Sequence, residues 1–341
     1  MQRYSRQTRF AELGEHGQRR LGYSHAAIVG CGALGSVIAN TLTRAGVGRI
    51  KLIDRDVVEL SNLQRQVLYT ESDVAEGLPK AIAAANHLRG INSSVEVEPV
   101  VADVTAGNIE SICDSVDLVL DGSDNFEIRF LINDFCVKHG IPWIYGGCLG
   151  ADGQTMTIVP GDTACLNCLM LQGPPPPGTT ETCDSFGILS PIINLIASIE
   201  SMEAIKLLSG NREAISRKLQ VFSLWTNDVR QIDLSKLRDQ VDCPACQQQT
   251  FVWLDGKRGS QTTVLCGRNS VQLTFPERGQ IDLASIAKRL SDLGDVRANE
   301  YLVKFDTEEI ELTIFEDGRA IVTGTDDPAL ARKYYAQYLG Q

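Results

Sequence analysis

The chain has 341 residues, 43% of them hydrophobic and 22% charged, with ten cysteines and a formal net charge of −11. No apolar run reaches the ~18 residues of a membrane span, and the start, Met1-Gln-Arg-Tyr-Ser-Arg6, lacks the apolar core of a signal peptide, so the chain is read as cytosolic, with no membrane partner. An acidic chain gains no counterion-release affinity for nucleic acid, and ten cysteines in that compartment argue for metal ligation or thiol chemistry, not disulfides.

In chain order, Ala26–Val29 is a short apolar run ending in Gly30-Cys-Gly32-Ala33-Leu-Gly35. Ser36–Ala45 reads as a helix with Gly46-Val-Gly48 as its C-terminal turn, and Arg49–Ile53 as a strand ending in Asp54. Leu78–Leu88 reads as helix, Val95–Val101 and Asp117–Leu120 as strands, Asn125–His139 as helix and Ile141–Tyr145 as strand. This β-α-β alternation with short links predicts a parallel, doubly wound Rossmann-like sheet.

The pattern then changes. Gln154–Val159 alternates as an antiparallel strand would, so the sheet is mostly parallel with an antiparallel extension. The proline-rich stretch from Gly173 to Cys183 is incompatible with helix or sheet and reads as an exposed, extended crossover. Pro191–Leu208 reads as a long apolar helix and Lys218–Leu224 as a strand. From about Thr250 a small α+β domain is expected, with strands at Thr262–Cys266 and Ser270–Phe275 and a helix at Leu283–Leu293. A meander over Tyr301–Asp306, Ile310–Phe315 and Arg319–Thr323 turns at Asp317-Gly318, before a last helix, Pro328–Leu339. The expected division is 1–248 for the larger, doubly wound domain and 249–341 for a small domain without an assigned role.

Five constellations carry chemistry. Gly30, Gly32 and Gly35 follow a strand and open a helix, where amide hydrogens and the helix dipole favour an anion. Asp54 follows about 20 residues on, a spacing that suits a carboxylate accepting ribose hydroxyls. Ser61-Asn62-Leu-Gln-Arg65 comes directly after it. A dehydrogenase would not need this Asn and Arg pair; an enzyme splitting a triphosphate would, because a guanidinium stabilises oxygens gaining negative charge. Lys80 can add a second positive charge. Asp124 and Asn125 stand at a strand's C-terminal end, where an open α/β sheet binds ligands; Asp124 can hold Mg²⁺ or cap the following helix.

Cys165-x-x-Cys168 and Cys243-x-x-Cys246 can close a tetrahedral thiolate site, with all four positions filled and the zinc therefore structural. Cys183 can act as a nucleophile or in persulfide transfer. Cys31, Cys113, Cys136 and Cys148 read as packing residues, and Cys266 begins a Cys-Gly-Arg turn with only a weak claim to reactivity.

Together these residues resemble the ThiF/MoeB/HesA family, bacterial relatives of the ubiquitin-activating enzymes. The resemblance rests on Arg3-Tyr-Ser-Arg6-Gln, the glycine loop, Asp54, Ser61-Asn62-Leu-Gln-Arg65, Pro79-Lys80, Asp124-Asn125 and the two Cys-x-x-Cys pairs, and it covers roughly residues 1–248. Ala33 stands where many relatives carry another glycine. The resemblance implies that Asp54 binds the ribose of ATP, that Asn62, Arg65 and Lys80 handle the phosphates, and that Asp124 serves Mg²⁺ and the transition state. It also implies that Arg6 reaches the neighbouring subunit's site in a homodimer. The activity implied is adenylation of the C-terminal carboxylate of a small ubiquitin-like sulfur carrier ending in Gly-Gly. The alternatives are another carboxylate, on a peptide or a tRNA-modification intermediate, or a dinucleotide-dependent oxidoreductase.

Overall fold

The computed structural model describes residues 2–171, 173, 174, 186–258, 262–265, 269–273 and 281–340. It divides into two compact units, Met1–Arg258 and Gly259–Gln341. The first runs beyond residue 248 because Trp253 stacks on Phe130 at 5.5 Å and its amide donates to Asp134 Oδ2 at 2.9 Å.

The first unit is built on an eight-stranded sheet. Five parallel strands lie in the order β3 (Glu96–Val101), β2 (Arg49–Asp54), β1 (His25–Val29), β4 (Leu118–Asp121) and β5 (Trp143–Leu149). Beyond β5 the sheet continues antiparallel through β6 (Asp152–Ile158), β7 (Lys218–Ser223) and β8 (Asp228–Asp233). The doubly wound sheet with an antiparallel extension read from the sequence is the one observed.

Helices cover both faces, and two apolar clusters result. One lies under α1 (Gly14–Tyr23), α2 (Ala33–Ala45), α4 (Lys80–Ile91) and α8 (Ser190–Ser209), and contains Ile38, Leu42, Leu52, Leu88, Ile193 and Ile196. The other lies under α5 (Ile109–Ile112), α6 (Phe126–His139) and α7 (Leu166–Leu169), and contains Val119, Phe130, Phe135, Trp143 and Ile158. Short helices α3 (Glu71–Ala75) and α9 (Leu237–Gln240) complete the unit. Local chemistry fixes several boundaries. Gly46, Gly140 and Gly210 end α2, α6 and α8 in the left-handed conformation, as helix C-terminal glycines do. Asn125 caps α6 by accepting the Glu127 amide at 2.7 Å; α4 starts at Lys80 because Pro79 occupies its N-cap.

Several elements were not foreseen, the short helices α3, α5, α7 and α9 among them. Helix α1 contains two glycines beyond its first residue and buries few side chains. Strand β8 is exposed along its whole length, so it shows no alternation to read. Another lies in the second unit.

That unit is an antiparallel six-stranded sheet in the order β11 (Asp295–Ala298), β12 (Leu302–Asp306), β13 (Glu311–Phe315), β14 (Ala320–Thr323), β10 (Ser270–Leu273), β9 (Thr262–Leu265). Helices α10 (Leu283–Leu290) and α11 (Pro328–Leu339) pack with Phe305, Leu312, Ile314 and Tyr335 in its core. The expected turn at Gly318 has φ +80°; β11, largely exposed, is the strand sequence patterning missed. Among the described residues, no helix is long and apolar enough to cross a membrane. Cys183 and Cys266 lie outside the described residues.

Candidate active site

The C-terminal ends of β1, β2 and β4 meet at a joint made of glycine. Gly30 has φ +93°, and its amide donates to Ile53 O at 2.7 Å. A β-carbon on Gly30 would lie 2.5 Å from Gly122 O; one on Gly35 would collide with Gly30 O, and one on Gly122 would collide with Gly30 O and approach Gly35 Cα at 2.9 Å. These three glycines are required by backbone packing alone. Gly32 differs: a β-carbon there would find Gln66 Nε2 and Gly122 O no nearer than 3.9 Å. Its open face, beside the first turn of α2, is where an anion has room to approach the amides. Ala33 is the first residue of that helix.

Asp54, at the end of β2, is tied into this loop. Its Oδ2 accepts the Cys31 amide at 2.6 Å and its Oδ1 the Asp56 amide at 2.7 Å. Each oxygen keeps a lone pair for a further donor. Burial raises the Asp54 pKa; the Lys80 charge opposes the rise and Asp56 adds to it.

Lys80 is not the exposed helix cation a surface reading would give it. It is 3% exposed, and its Nζ lies 3.0 Å from Asp56 Oδ2. An isolated bridge between Val57 and Pro79 brings the start of α4 beside the end of β2. Tyr69 closes the same corner, its hydroxyl lying 2.7 Å from Cys31 O and 3.2 Å from Lys80 O. Arg55 joins β2 to the end of β3 through Asp103 at 3.1 Å. Asp56, Arg55, Asp103 and Tyr69 had no signal in the sequence, because their value lies in pairings across the sheet.

Asn62 is buried, and its side chain is engaged locally: Oδ1 accepts the Glu59 amide at 3.1 Å in a capping box. Ser61 is exposed and donates to Glu59 at 3.3 Å. Arg65 is half-buried, and its Nη1 donates to Ser61 O at 2.9 Å. Gln66, the next residue, borders Gly32, so this segment flanks the open side of the loop. Asp124 is exposed, and among the described residues its carboxylate makes no hydrogen bond or ion pair. The helix cap is Asn125, not Asp124. Arg6 is exposed in the segment before α1, and nothing among the described residues links it to the crevice.

Behind Asp124 stands an ion pair that sequence reading missed. Arg129 Nε donates to Asp121 Oδ2 at 2.8 Å, both residues being buried.

The four cysteines converge as their spacing implies. Cys165 Sγ lies 3.7 Å from Cys168 and 3.6 Å from Cys243, and Cys168 lies 3.3 Å from Cys246. All four sulfurs fall within 4.8 Å of one another. Zinc–sulfur bonds of about 2.3 Å put tetrahedral ligands roughly 3.8 Å apart, so the donor set fits zinc, whereas a disulfide needs about 2.05 Å.

Comparison with known proteins bears on this arrangement. Residues 4–245 match the model of the ThiF family. The chain is 44% identical over 339 residues to the "Sulfur carrier protein ThiS adenylyltransferase" of Bacillus subtilis, covering 99% of each chain. It is 36% identical over 251 residues to the "Sulfur carrier protein adenylyltransferase" of Thermus thermophilus, covering 72% of this chain and 90% of that one. A crystal structure of E. coli MccB with ATP shares the fold, with a TM-score of 0.61 at 24% identity, over 69% of this chain and 72% of that one.

Proposed function

The chain belongs to the ThiF family, and from that premise we propose that it uses ATP to adenylate the C-terminal glycine carboxylate of a small ubiquitin-like sulfur carrier, releasing pyrophosphate. The observation that carries the reading is the joint between Asp54 and the loop after β1. One carboxylate takes the Cys31 amide and retains acceptor capacity for a sugar, directly beside amides at a helix start. Similarity along the whole length to a ThiS adenylyltransferase supports the choice of carrier. It weighs against the oxidoreductase reading as well.

The carrier carboxylate attacks the α-phosphorus, the bond to the bridging oxygen breaks, and the electron pair leaves with pyrophosphate. The chain's part is positioning and charge neutralisation. In this reading the open face at Gly32 receives phosphate oxygens, Asp54 receives the ribose, and Arg65 and Lys80, with Asn62, meet the β- and γ-phosphates. Asp124, a hard-oxygen donor with no hydrogen bond or ion pair among the described residues, suits Mg²⁺; bound there, the ion would offset charge on the phosphates. Zinc in the Cys165, Cys168, Cys243 and Cys246 site is structural. Arg6, exposed and without a side-chain partner among the described residues, is assigned to the second subunit's crevice in a homodimer, and the enzyme is assigned to the cytoplasm. Cys183 remains a candidate for the subsequent sulfur chemistry.

The test is ATP–pyrophosphate exchange against a panel of purified carriers, with Asp124→Ala and Arg65→Ala as controls. The reading requires exchange that depends on a carrier and disappears when the carrier's last glycine is removed. Exchange stimulated only by a peptide or a tRNA intermediate would replace the carrier with that substrate, and no exchange with any of them would defeat the proposal.

A further inference from the structure

Arg129 is 6% exposed and meets three acceptors at once. Its Nε donates to Asp121 Oδ2 at 2.8 Å, and its Nη2 donates to Ser123 O at 2.8 Å and to Gly146 O at 3.0 Å. The guanidinium also lies 5.1 Å from the Phe126 ring centre and 5.3 Å from that of Tyr145. Only the planar fork of arginine can serve acceptors in these directions together; a lysine ammonium is a point charge.

Two of the acceptors, Asp121 and Ser123 O, belong to the turn after β4, and the third, Gly146 O, to the neighbouring strand β5. Asp121 Oδ1 takes the Ser123 amide at 2.9 Å and its hydroxyl at 2.6 Å. The Gly122 amide donates to Val29 O at 2.8 Å, and Asn125 closes the far side as the α6 cap. The residues around Asp124 are thus fixed through Arg129, the glycine joint or the α6 cap, while the Asp124 carboxylate makes no hydrogen bond or ion pair among the described residues. A carboxylate left unanchored at the tip of a fully anchored turn is held ready for something outside the chain.

We propose that Arg129 is a positioning residue that aims the Asp124 carboxylate at a nucleotide-bound divalent cation, with Ser123 as the second arm of the same clamp. This rests on the reading of Asp124 given above. A purely structural Arg129 would alter stability and weaken nucleotide binding with and without metal alike. A positioning residue alters the part of binding that depends on metal.

The measurement is calorimetric ATP affinity of the full chain, once with Mg²⁺ and once with EDTA, read as the ratio of the two dissociation constants. Asp124→Asn should bring that ratio close to one. Arg129→Lys should shrink it about tenfold, as the loss of one charge-assisted contact would, with the EDTA value within about twofold of the parent. Ser123→Ala removes the hydroxyl arm from a half-exposed site without stranding a charge, and should shrink the ratio roughly threefold; it decides the matter if Arg129→Lys does not fold. If Asp124→Asn collapses the ratio while the folded Arg129→Lys and Ser123→Ala proteins keep the parent value, Arg129 does not position Asp124 and only this inference falls. If Asp124→Asn itself keeps the ratio, the metal reading of Asp124 falls and takes the inference with it.

Discussion

The carboxyl of Glu200 lies against the α-carbon of Gly146, so that any side chain at 146 would collide with Glu200 Oε1. Helix α8 reaches β5 this closely only because residue 146 has no side chain. The carbonyl of the same residue, Gly146 O, accepts Arg129. Neither Glu200 oxygen has a hydrogen-bond partner among the described residues. Burial, with Asp121 adding to it and Arg129 opposing, holds its pKa well above the ordinary carboxyl range.

A proton on Glu200 makes folding pH-dependent in a defined direction. The folded state holds the proton to higher pH than the unfolded chain, so stability is full below the unfolded value near 4.5 and falls as pH rises toward the folded value. Glu200→Gln removes this loss. Its melting temperature minus that of the parent should therefore increase as pH rises above about 5; a flat difference would show that Glu200 ionises normally.

Gly35 and Gly32 should respond oppositely to alanine. Gly35→Ala drives a methyl into Gly30 O and should cost about 3 kcal/mol or more, as overpacking against backbone does. Gly32→Ala meets nothing within 3.9 Å; it should fold with nearly parental stability but bind ATP about tenfold more weakly, because the methyl occupies the approach to the amides. Thermal unfolding and ATP titration of the two variants separate the roles.

Arg65 and Lys80 should separate chemistry from stability. Lys80 is buried against Asp56, so Lys80→Ala strands a partly buried carboxylate and should lower stability by about 3 kcal/mol as well as activity. Arg65→Ala, half-exposed and bonded only to Ser61 O among the described residues, should change stability by no more than ~0.5 kcal/mol while cutting carrier-dependent exchange about 100-fold. Unfolding curves measured beside exchange rates check both halves.

The purified chain should carry about one zinc. Cys243→Ser should release it and lower the melting temperature by at least about 5 °C, because metal-binding energy is folding energy at such sites. Metal analysis with differential scanning calorimetry tests this; a metal-free parent with the same melting temperature would rule it out.

The parallel half of the fold was legible because buried strands such as Ala26–Val29 and Asp117–Leu120 are short apolar runs between helix-length amphipathic segments. The cysteine cluster was legible because ligand spacing is local even when the two pairs are far apart in the chain. Strands β8 and β11 were not, since their exposure removes the pattern by which strands are found. The placing of Gly30, Gly35 and Asp54 at the strand ends was legible, because it follows from position after a strand. Arg129, Asp121 and Glu200 were not: each owes its state to a partner contributed by another element, and nothing in a run of residues marks an acid that will sit beneath a glycine across a sheet.

The joint of Gly30, Gly35 and Gly122 has an evolutionary corollary. The floor of the crevice is bare main chain, so it offers mutation no side chain to vary. On the proposed reading, changes of nucleotide preference enter from the rim, through the 60–66 segment whose Gln66 borders Gly32. A library seeking a new triphosphate donor should place its diversity there and leave the floor intact.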